Sequence, residues 1–230
     1  VVLTCVSADD DLVEVIDACA PGLAEGDLLL DTSTVSPTLT RMLAASLAER
    51  GVAFVDAPVS GGVEGARKGT LSVMAGGESA DMSRIRPLFD AISSRVTHMG
   101  PAGSGQATKA VNQVMVAGIN EAVCEALAFS EKLNLPSVRL LSVLGAGAAG
   151  SWFLQHRGTS MLENRFDTGY KPALLLKDLK IVRELARDLV IELNTVDAAI
   201  KDYEGLLAGG NEDNDISGLI RLKRGSPAGD

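Results

Sequence analysis

An apolar periodicity of helical spacing from residue 104 to residue 133 is the longest uninterrupted signal in the sequence. It contains no proline, and Gly118 within it is tolerable inside a helix. At 1.5 Å per residue such a helix is about 45 Å long, the dimension of a whole small domain. We therefore predict that it divides the 230-residue chain into one domain over residues 1–103 and another over residues 104–230.

Short apolar runs alternate with helical patterns before residue 104. The strand signals are VVLTCVS, EGDLLLDTST, VAFVDAPV, LSVMAGG and RVTHMG. The helical patterns are DDDLVEVIDACA, residues 37–50 behind a Ser36 cap, and DMSRIRPLFDAI. This alternation predicts a doubly wound α/β sheet.

The second half reads as helices throughout. Five patterns follow the long helix, separated by turns rich in Gly, Asn or Asp: PSVRLLSVLG, SWFLQHRGTSMLE, KPALLLKDLKIVRELARDL, TVDAAIKDYEGLLA and ISGLIRLKR. We predict an all-α domain built on the long helix, followed by a frayed GSPAGD tail.

One glycine run matches the dinucleotide-binding pattern G-x-G-x-x-G without its context. Gly145, Gly147 and Gly150 follow a pattern of helical spacing, and no credible strand comes after them. The genuine motif follows a strand and opens a helix within a βαβ unit. A flexible connection between two helices is therefore the favoured interpretation.

Composition and charge exclude several classes of function. A net charge of −9 argues against nucleic acid and anionic lipid as partners. The three cysteines show no metal-binding spacing, so we expect no metal site, and their odd count does not suggest a disulfide framework, so we expect a reducing compartment. No run reaches the roughly 18 apolar residues of a membrane span, and no signal peptide is recognisable. We expect a soluble, cytoplasmic protein.

Two motifs lie where predicted strands end. In DTSTVSP, Thr34 is a candidate ligand contact, because ligands of open α/β sheets bind beyond the carboxyl ends of strands. Helix capping is the commoner role for such a loop. In DAPVSGG, Ser60, Gly61 and Gly62 allow close backbone approach to a carboxylate, although a tight structural turn explains them equally well.

Two further motifs place charged residues on helices. Lys109 lies one turn into the long helix, and Asn112 and Gln113 share its face. A lysine among amides and near another cation has its pKa lowered toward neutrality and can exchange a proton with a hydroxyl, whereas an exposed lysine is the commoner case. Lys177 and Asp178 lie between leucines and form either a surface rung or a charge directed into a cleft.

Together, DTSTVSP, DAPVSGG, GxGxxxKxxNQ and KDL closely resemble the β-hydroxyacid dehydrogenases, in this order and at these separations. That family includes 3-hydroxyisobutyrate dehydrogenase, tartronate semialdehyde reductase and, more distantly, 6-phosphogluconate dehydrogenase. The resemblance runs from Val1 to about Arg224. It implies a partial Rossmann domain, a long connecting helix and an all-helical domain that contributes to homodimers or homotetramers.

The resemblance also implies an activity and the residues that carry it. A hydride passes between NAD or NADP and a small β-hydroxy acid or the matching semialdehyde, while Lys109 acts as acid/base. Six substrate contacts and two cofactor contacts follow. The substrate set is Ser60, Gly61 and Gly62 at the carboxylate, Asn112 or Gln113 at the hydroxyl and Asp178 in support; the cofactor set is Thr34 and Lys177. Tyr170 and Trp152 either shape the acyl pocket or pack in the core.

The sequence departs from the family pattern in two ways. The first βαβ units, with the glycine motif and the acidic residue for the ribose, would lie before Val1. We therefore expect a fragment, and we expect this piece alone to bind nicotinamide nucleotides weakly. Gln113 stands where many relatives have Asn, which leaves the substrate open.

Two other functions stay open at this point. An imine reductase on the same fold is one, although the analogy predicts another residue in place of Lys109. A non-catalytic binding or dimerisation module that has lost its nucleotide half is the other.

Overall fold

The computed structural model describes residues 1–167 and 169–225. The chain forms two compact units, Val1–Asn112 and Gln113–Asp230. The division falls inside the long helix, whereas the sequence pattern suggested a division at its start. The predicted frayed tail lies outside the described residues from position 226 onward.

The first unit is built on a six-stranded sheet. Strands β1, β2 and β3 are parallel neighbours, β5 is antiparallel to both β3 and β4, and β6 is parallel to β5. The strands are β1 (Val2–Thr4), β2 (Leu28–Asp31), β3 (Ala53–Asp56), β4 (Val59–Ser60), β5 (Leu71–Gly76) and β6 (Ser93–Gly100). The predicted α/β sheet is confirmed, and it contains both parallel and antiparallel strand pairs.

Both faces of this sheet are covered, because successive side chains of a strand point to opposite faces. Leu29 packs in a cluster with Leu12, Ile16 and Leu47, which come from the two helices that follow β1 and β2. The neighbouring Leu28 and Leu30 pack on the other side, in a second cluster that contains Val55, Ile85 and Phe89. Two clusters on opposite faces make the sheet doubly wound.

The three helical patterns predicted for this unit form helices in the predicted order. The helices are α1 (Asp9–Cys19), α2 (Pro37–Ala48), α3 (Gly62–Lys68), α4 (Ser79–Arg84) and α5 (Arg86–Ile92), with a short 3-10 helix at Ala20–Gly22. The short helix α3 and the 3-10 helix are additional to the prediction. The Ser36 hydroxyl caps α2, as predicted, by accepting from the N–H groups of Thr38 and Leu39.

Proline explains two differences from the sequence prediction. The single predicted strand VAFVDAPV is interrupted between β3 and β4 at Pro58, which has no N–H for a ladder bond. The single predicted helix DMSRIRPLFDAI is divided at Ile85, because Pro87 suits the first turn of a new helix rather than the interior of an existing one.

The second unit is helical, and the predicted helices are confirmed. The long helix α6 (Ser104–Lys132) contributes its first residues to the first unit and the rest to the second. The others are α7 (Ser137–Ala146), α8 (Trp152–Leu162), α9 (Pro172–Asp188), α10 (Asn194–Ala208), a 3-10 helix at Ile216–Leu219 and α11 (Ile220–Lys223). Gly147 and Gly150 lie between α7 and α8, so this glycine run does connect two helices.

Candidate active site

Lys109 is the centre of the candidate site. It lies in the second turn of α6, is only 8% exposed, and its Nζ donates a hydrogen bond to the Val59 carbonyl oxygen at 2.9 Å. The alternative of an exposed helix lysine is therefore wrong. Because Val59 directly precedes Ser60, the amine is held at the Ser-Gly-Gly turn.

The Ser60-Gly61-Gly62 turn joins β4 to α3. Ser60 is held by pairing with Ser72 across the β4–β5 ladder. Gly61 has φ 132° and Gly62 has φ 61°, in the left-handed region where residues with side chains are strained. A Cβ on Gly62 would meet no atom within 4 Å. The turn is therefore a tight one that packs against Leu71 at Gly61, and the space beside Gly62 is open.

Thr34 lies in the loop between β2 and α2, beyond the carboxyl ends of the parallel strands, and is half-buried. The loop is anchored by Ser33, whose hydroxyl accepts from the Val6 N–H at 2.8 Å and donates to the Asp31 carboxylate at 2.6 Å. Helix capping belongs to Ser36 in this loop, which leaves the contact assigned to Thr34 compatible with its position.

Asp56 is a buried carboxylate to which the sequence pattern assigned no role. It has no solvent exposure and accepts hydrogen bonds from the backbone N–H groups of Gly103, at 2.7 Å, and Gln106, at 2.8 Å. Burial raises the pKa of Asp56 above its usual value of 3.8, against the opposing effect of these two N–H groups. Asp56 therefore ties the end of β3 to the start of α6.

Gln106 is the second residue without an assigned role, although it lies inside the motif around Lys109. It is 1% exposed, and both atoms of its side-chain amide are hydrogen-bonded to the Thr34 loop. Asn112, a predicted substrate contact, is half-buried on the same helix and is the last residue of the first unit.

The second unit brings together three other residues singled out from the sequence, Gln113, Asp178 and Lys177. Gln113 Nε2 donates to Asp178 Oδ2 at 2.7 Å, and Lys177 Nζ is 2.8 Å from Asp178 Oδ1. Asp178 is 4% exposed, so the alternative of a surface rung is wrong for it. Asp178 joins an amide and an ammonium group in one buried cluster.

Tyr170 completes this cluster. Its hydroxyl donates to Asp178 at 2.5 Å and accepts from Gln113 Nε2 at 2.9 Å. Burial raises the pKa of Tyr170 well above 10, and the neighbouring Asp178 acts in the same direction. The phenol therefore keeps its proton and acts as a donor to Asp178.

Trp152 does not join this cluster. It is 53% exposed, its ring stacks on His156 with centroids 4.2 Å apart, and the guanidinium of Arg157 lies 5.4 Å from the ring. The alternative of core packing is wrong for Trp152. Its expected role in shaping an acyl pocket stays a prediction.

The described residues form neither a cluster suited to a metal ion nor a helix suited to crossing a membrane. Over residues 1–167 and 169–225, no group of three or more His, Cys, Asp or Glu side chains is arranged to hold a metal ion. In the same part of the chain, no helix combines the length and apolarity that crossing a membrane requires.

Two family models match the chain in succession. The NAD-binding domain of 6-phosphogluconate dehydrogenase matches residues 1–100, and the NAD-binding domain of NADP-dependent 3-hydroxyisobutyrate dehydrogenase matches residues 103–223. The chain belongs to the β-hydroxyacid dehydrogenase family. The two matched regions of this dehydrogenase meet just before α6 begins.

Individual relatives agree with this assignment. An uncharacterized oxidoreductase of Shewanella frigidimarina is 37% identical over 190 residues, which are 81% of this chain and 65% of that protein. The 2-hydroxy-3-oxopropionate reductase of Escherichia coli is 37% identical over 205 residues, 89% of this chain and 70% of the reductase. The chain thus spans about two-thirds of the length of these relatives.

A solved structure gives the same result for the fold. The 3-hydroxyisobutyrate dehydrogenase of Mycobacterium tuberculosis, in a structure with L-serine, superposes with a TM-score of 0.87 at 29% identity. The match covers 96% of this chain and 78% of that one.

The residues of this dehydrogenase fit the nicotinamide cofactor, NAD or NADP, of its family domains. Three parallel strands end at one edge of the sheet, and the loop with the half-buried Thr34 hydroxyl begins there. The open backbone at Gly62 leaves space for a ligand at the neighbouring turn.

Proposed function

We propose that this protein oxidises a small β-hydroxy acid to the semialdehyde, or catalyses the reverse reduction, with NAD or NADP. The observation that carries the proposal is the buried Lys109 amine, held by the Val59 carbonyl at 2.9 Å beside the Ser60-Gly61-Gly62 turn. An amine at this position can meet the alcohol of an acid whose carboxylate lies on the turn.

The chain's own residues supply binding and proton transfer. The Ser60 hydroxyl and the backbone of Gly61 and Gly62 bind the carboxylate. Unprotonated Lys109 takes the proton of the substrate hydroxyl as the O–H bond breaks, and returns it in the reverse direction. When bound, the nicotinamide cofactor supplies the acceptor or donor of the hydride at its C4 atom.

We assign the remaining predicted residues the roles that the family resemblance implies. Gln113 or Asn112 orients the substrate hydroxyl, and Asp178 holds the Gln113 amide through its 2.7 Å hydrogen bond. Thr34 and Lys177 contact the cofactor.

The names of the relatives support an acid with an oxygen substituent near its carboxylate. They include a reductase of 2-hydroxy-3-oxopropionate and a 3-hydroxyisobutyrate dehydrogenase whose structure contains L-serine. 3-Hydroxyisobutyrate and serine each carry a hydroxyl two carbons from the carboxylate carbon. A carboxylate site and an acid/base group suit this whole class of acids. The substrate assay therefore has to determine how many carbons the acid contains.

A substrate panel tests the proposal. The complete protein is assayed with C3 to C5 hydroxy acids and both cofactors, beside Lys109→Met and, as a control on the same helix, the exposed Lys132→Met. We expect turnover of at least one β-hydroxy acid, a loss of about a thousandfold in kcat for Lys109→Met, and no change for the control.

Three outcomes would contradict the proposal. Near-normal kcat in Lys109→Met would show that another group transfers the proton. Reduction of imines without oxidation of any hydroxy acid would favour the imine reductase. Absence of turnover with every compound would favour a non-catalytic module.

We further propose that the complete protein is a cytoplasmic homodimer or homotetramer. The family resemblance supports the subunit number, and the three free cysteines, an odd count without a disulfide framework, support a reducing compartment. Light scattering of the purified complete protein measures the subunit number, and a monomeric mass would contradict it.

A further inference from the structure

Gln106 contacts the backbone on both sides of Thr34. Its Nε2 donates to the Ser33 carbonyl oxygen at 2.8 Å, and its Oε1 accepts from the Val35 N–H at 3.2 Å. One side chain thereby satisfies a buried acceptor and a buried donor that flank a single residue. The conformation of the loop at Thr34 consequently depends on a residue more than 70 positions later in the chain.

These contacts require a side-chain amide. A carbonyl and an N–H group must be met at once, so the partner needs one donor and one acceptor held a fixed distance apart. The ionised carboxylate of Glu would offer acceptors alone and would face the Ser33 carbonyl. Met matches the length of Gln but offers neither strong group.

Asp56 fixes the turn of helix from which Gln106 projects. Its carboxylate accepts the Gly103 and Gln106 N–H groups, and Lys109 follows three residues after Gln106 on the same helix. The backbones of Gly76 and Gly105 both lie close to the Asp56 carboxylate. A Cβ on Gly76 would lie 2.5 Å from Asp56 Oδ1, and one on Gly105 would lie 2.7 Å from Oδ2. The start of α6 is therefore held in one position against β3 and β5.

We propose that Gln106 is a positioning residue that sets Thr34 for the nicotinamide cofactor, with Asp56 fixing the helical turn that carries both Gln106 and Lys109. The inference rests on the proposed function in taking Thr34 as a cofactor contact. It links the cofactor loop and the proton-transfer lysine through one buried turn of α6.

The test compares Gln106→Met with the unmodified complete protein. We expect the KM and the dissociation constant for NADH or NADPH, whichever is bound, to rise about tenfold, with kcat and the hydroxy-acid KM changed less than about threefold. Without cofactor, hydrogen exchange at the Val35 amide should accelerate about tenfold, because that N–H loses its acceptor. Gln155→Met, an exposed glutamine changed in the same way, should alter none of these quantities.

A double variant tests the route through Thr34. If Gln106 acts through Thr34, Gln106→Met combined with Thr34→Ala should weaken cofactor binding no more than the worse single change. If the losses of cofactor affinity in the two single variants multiply in the double variant, the proposal is overturned. Unchanged cofactor affinity in Gln106→Met would overturn it as well. If Gln106→Met does not fold, Gln106→Asn replaces it, since its amide is one methylene too short to reach both partners.

Failure of this inference is distinguishable from failure of the proposed function. Cofactor binding and amide exchange are measured without any hydroxy acid. A protein that binds NADH or NADPH but turns over no hydroxy acid would refute the proposed function and leave the Gln106 test intact. An active protein whose cofactor affinity is the same in Gln106→Met as in the unmodified protein would refute only the inference about Gln106.

Discussion

Lys109 in the first unit and Lys223 in the second are both largely shielded from solvent, and the two lysines have different neighbours. Lys109, in the first unit, donates to the carbonyl oxygen of Val59. Lys223, in the second, has a side chain 15% exposed and lies 2.5 Å from Glu121, 2.5 Å from Asp202 and 3.1 Å from Glu125. A carbonyl orients an amine without carrying a formal charge, whereas a carboxylate holds the amine in its protonated form.

The comparison shows that burial alone does not mark a functional lysine. Burial lowers the pKa of Lys223, but its hydrogen bonds to Asp202, Glu121 and Glu125 outweigh this effect and raise the pKa above its usual value of 10.5. A lysine held in this way does not exchange its proton near neutral pH. Lys223 therefore stabilises the helical unit, and Lys109 is the candidate for chemistry.

Lys223→Met should give the largest change in stability. It leaves the buried Glu121 carboxylate and Asp202 without their cation, so the free energy of unfolding should fall by about 3 kcal/mol. The kcat of the folded protein should not change, in contrast to Lys109→Met. Denaturant unfolding and a steady-state assay measure the two quantities. Lys201→Met, on the exposed face of α10, is the control, and an equal loss of stability in both variants would contradict the comparison.

Helix α2 in the first unit and helix α9 in the second end with the same backbone hydrogen bonds but with different residues. In the first unit, Gly51 follows α2 with φ 70°, and the N–H groups of Gly51 and Val52 bond to carbonyls three and five residues back. Val190 and Ile191 repeat these bonds after α9, but Val190 has φ 55°. Among the described residues, those other than glycine with positive φ are Asn134, Asn164 and Val190, all in the second unit.

Val190→Gly should therefore stabilise the protein. A β-branched residue in the left-handed region is strained, and Val190 is 92% exposed, so its side chain contributes little packing. We expect the free energy of unfolding to rise by about 1 kcal/mol, measured by denaturant titration. Val143→Gly makes the same chemical change at an exposed position inside α7 and should lower stability by about 0.5 kcal/mol. If Val190→Gly does not raise the free energy of unfolding either, the Val190 backbone is not strained.

Glu121→Gln should change the pH dependence of stability, the smallest effect of the three. Burial raises the pKa of Glu121 above its usual value of 4.5, despite its contact with Lys223. The folded state thus keeps a proton that the unfolded state releases, and this contribution to stability is lost as the pH rises from 4.5 through the raised pKa. Relative to Glu121→Gln, the unmodified protein should lose stability over that window.

Unfolding free energies at a series of pH values measure this difference. Glu125→Gln is the matched control, because Glu125 contacts the same lysine with a side chain that is 63% exposed. The unfolding free energy of Glu125→Gln should vary with pH in the same way as that of the unmodified protein. The same variation with pH in Glu121→Gln as well would contradict the prediction.

Long periodic segments were predictable from the sequence. The pattern over residues 104–133 became α6 (Ser104–Lys132), and the context of Gly147 and Gly150 excluded a dinucleotide-binding turn correctly. Predictions differed where proline removed a backbone donor, at Pro58 and Pro87. These differences are local, and the chemistry of proline accounts for both.

The candidate site was predictable in part. The motifs indicated Lys109, Thr34 and the Ser60 turn, whereas nothing in them assigned a role to Asp56 or Gln106. Asp56 meets N–H groups 47 and 50 residues away, and such pairings leave no periodic signal in a sequence.

The order of amino acids by itself determined the helices, most of the strands and the family, because periodicity, capping and short motifs act over a few neighbouring residues. Only the tertiary structure decided which neighbour each buried polar group received: a carbonyl for Lys109, backbone N–H groups for Asp56 and carboxylates for Lys223. A buried polar group is stabilised by whichever partner the folded chain brings within about 3 Å, and that choice is made across tens of residues.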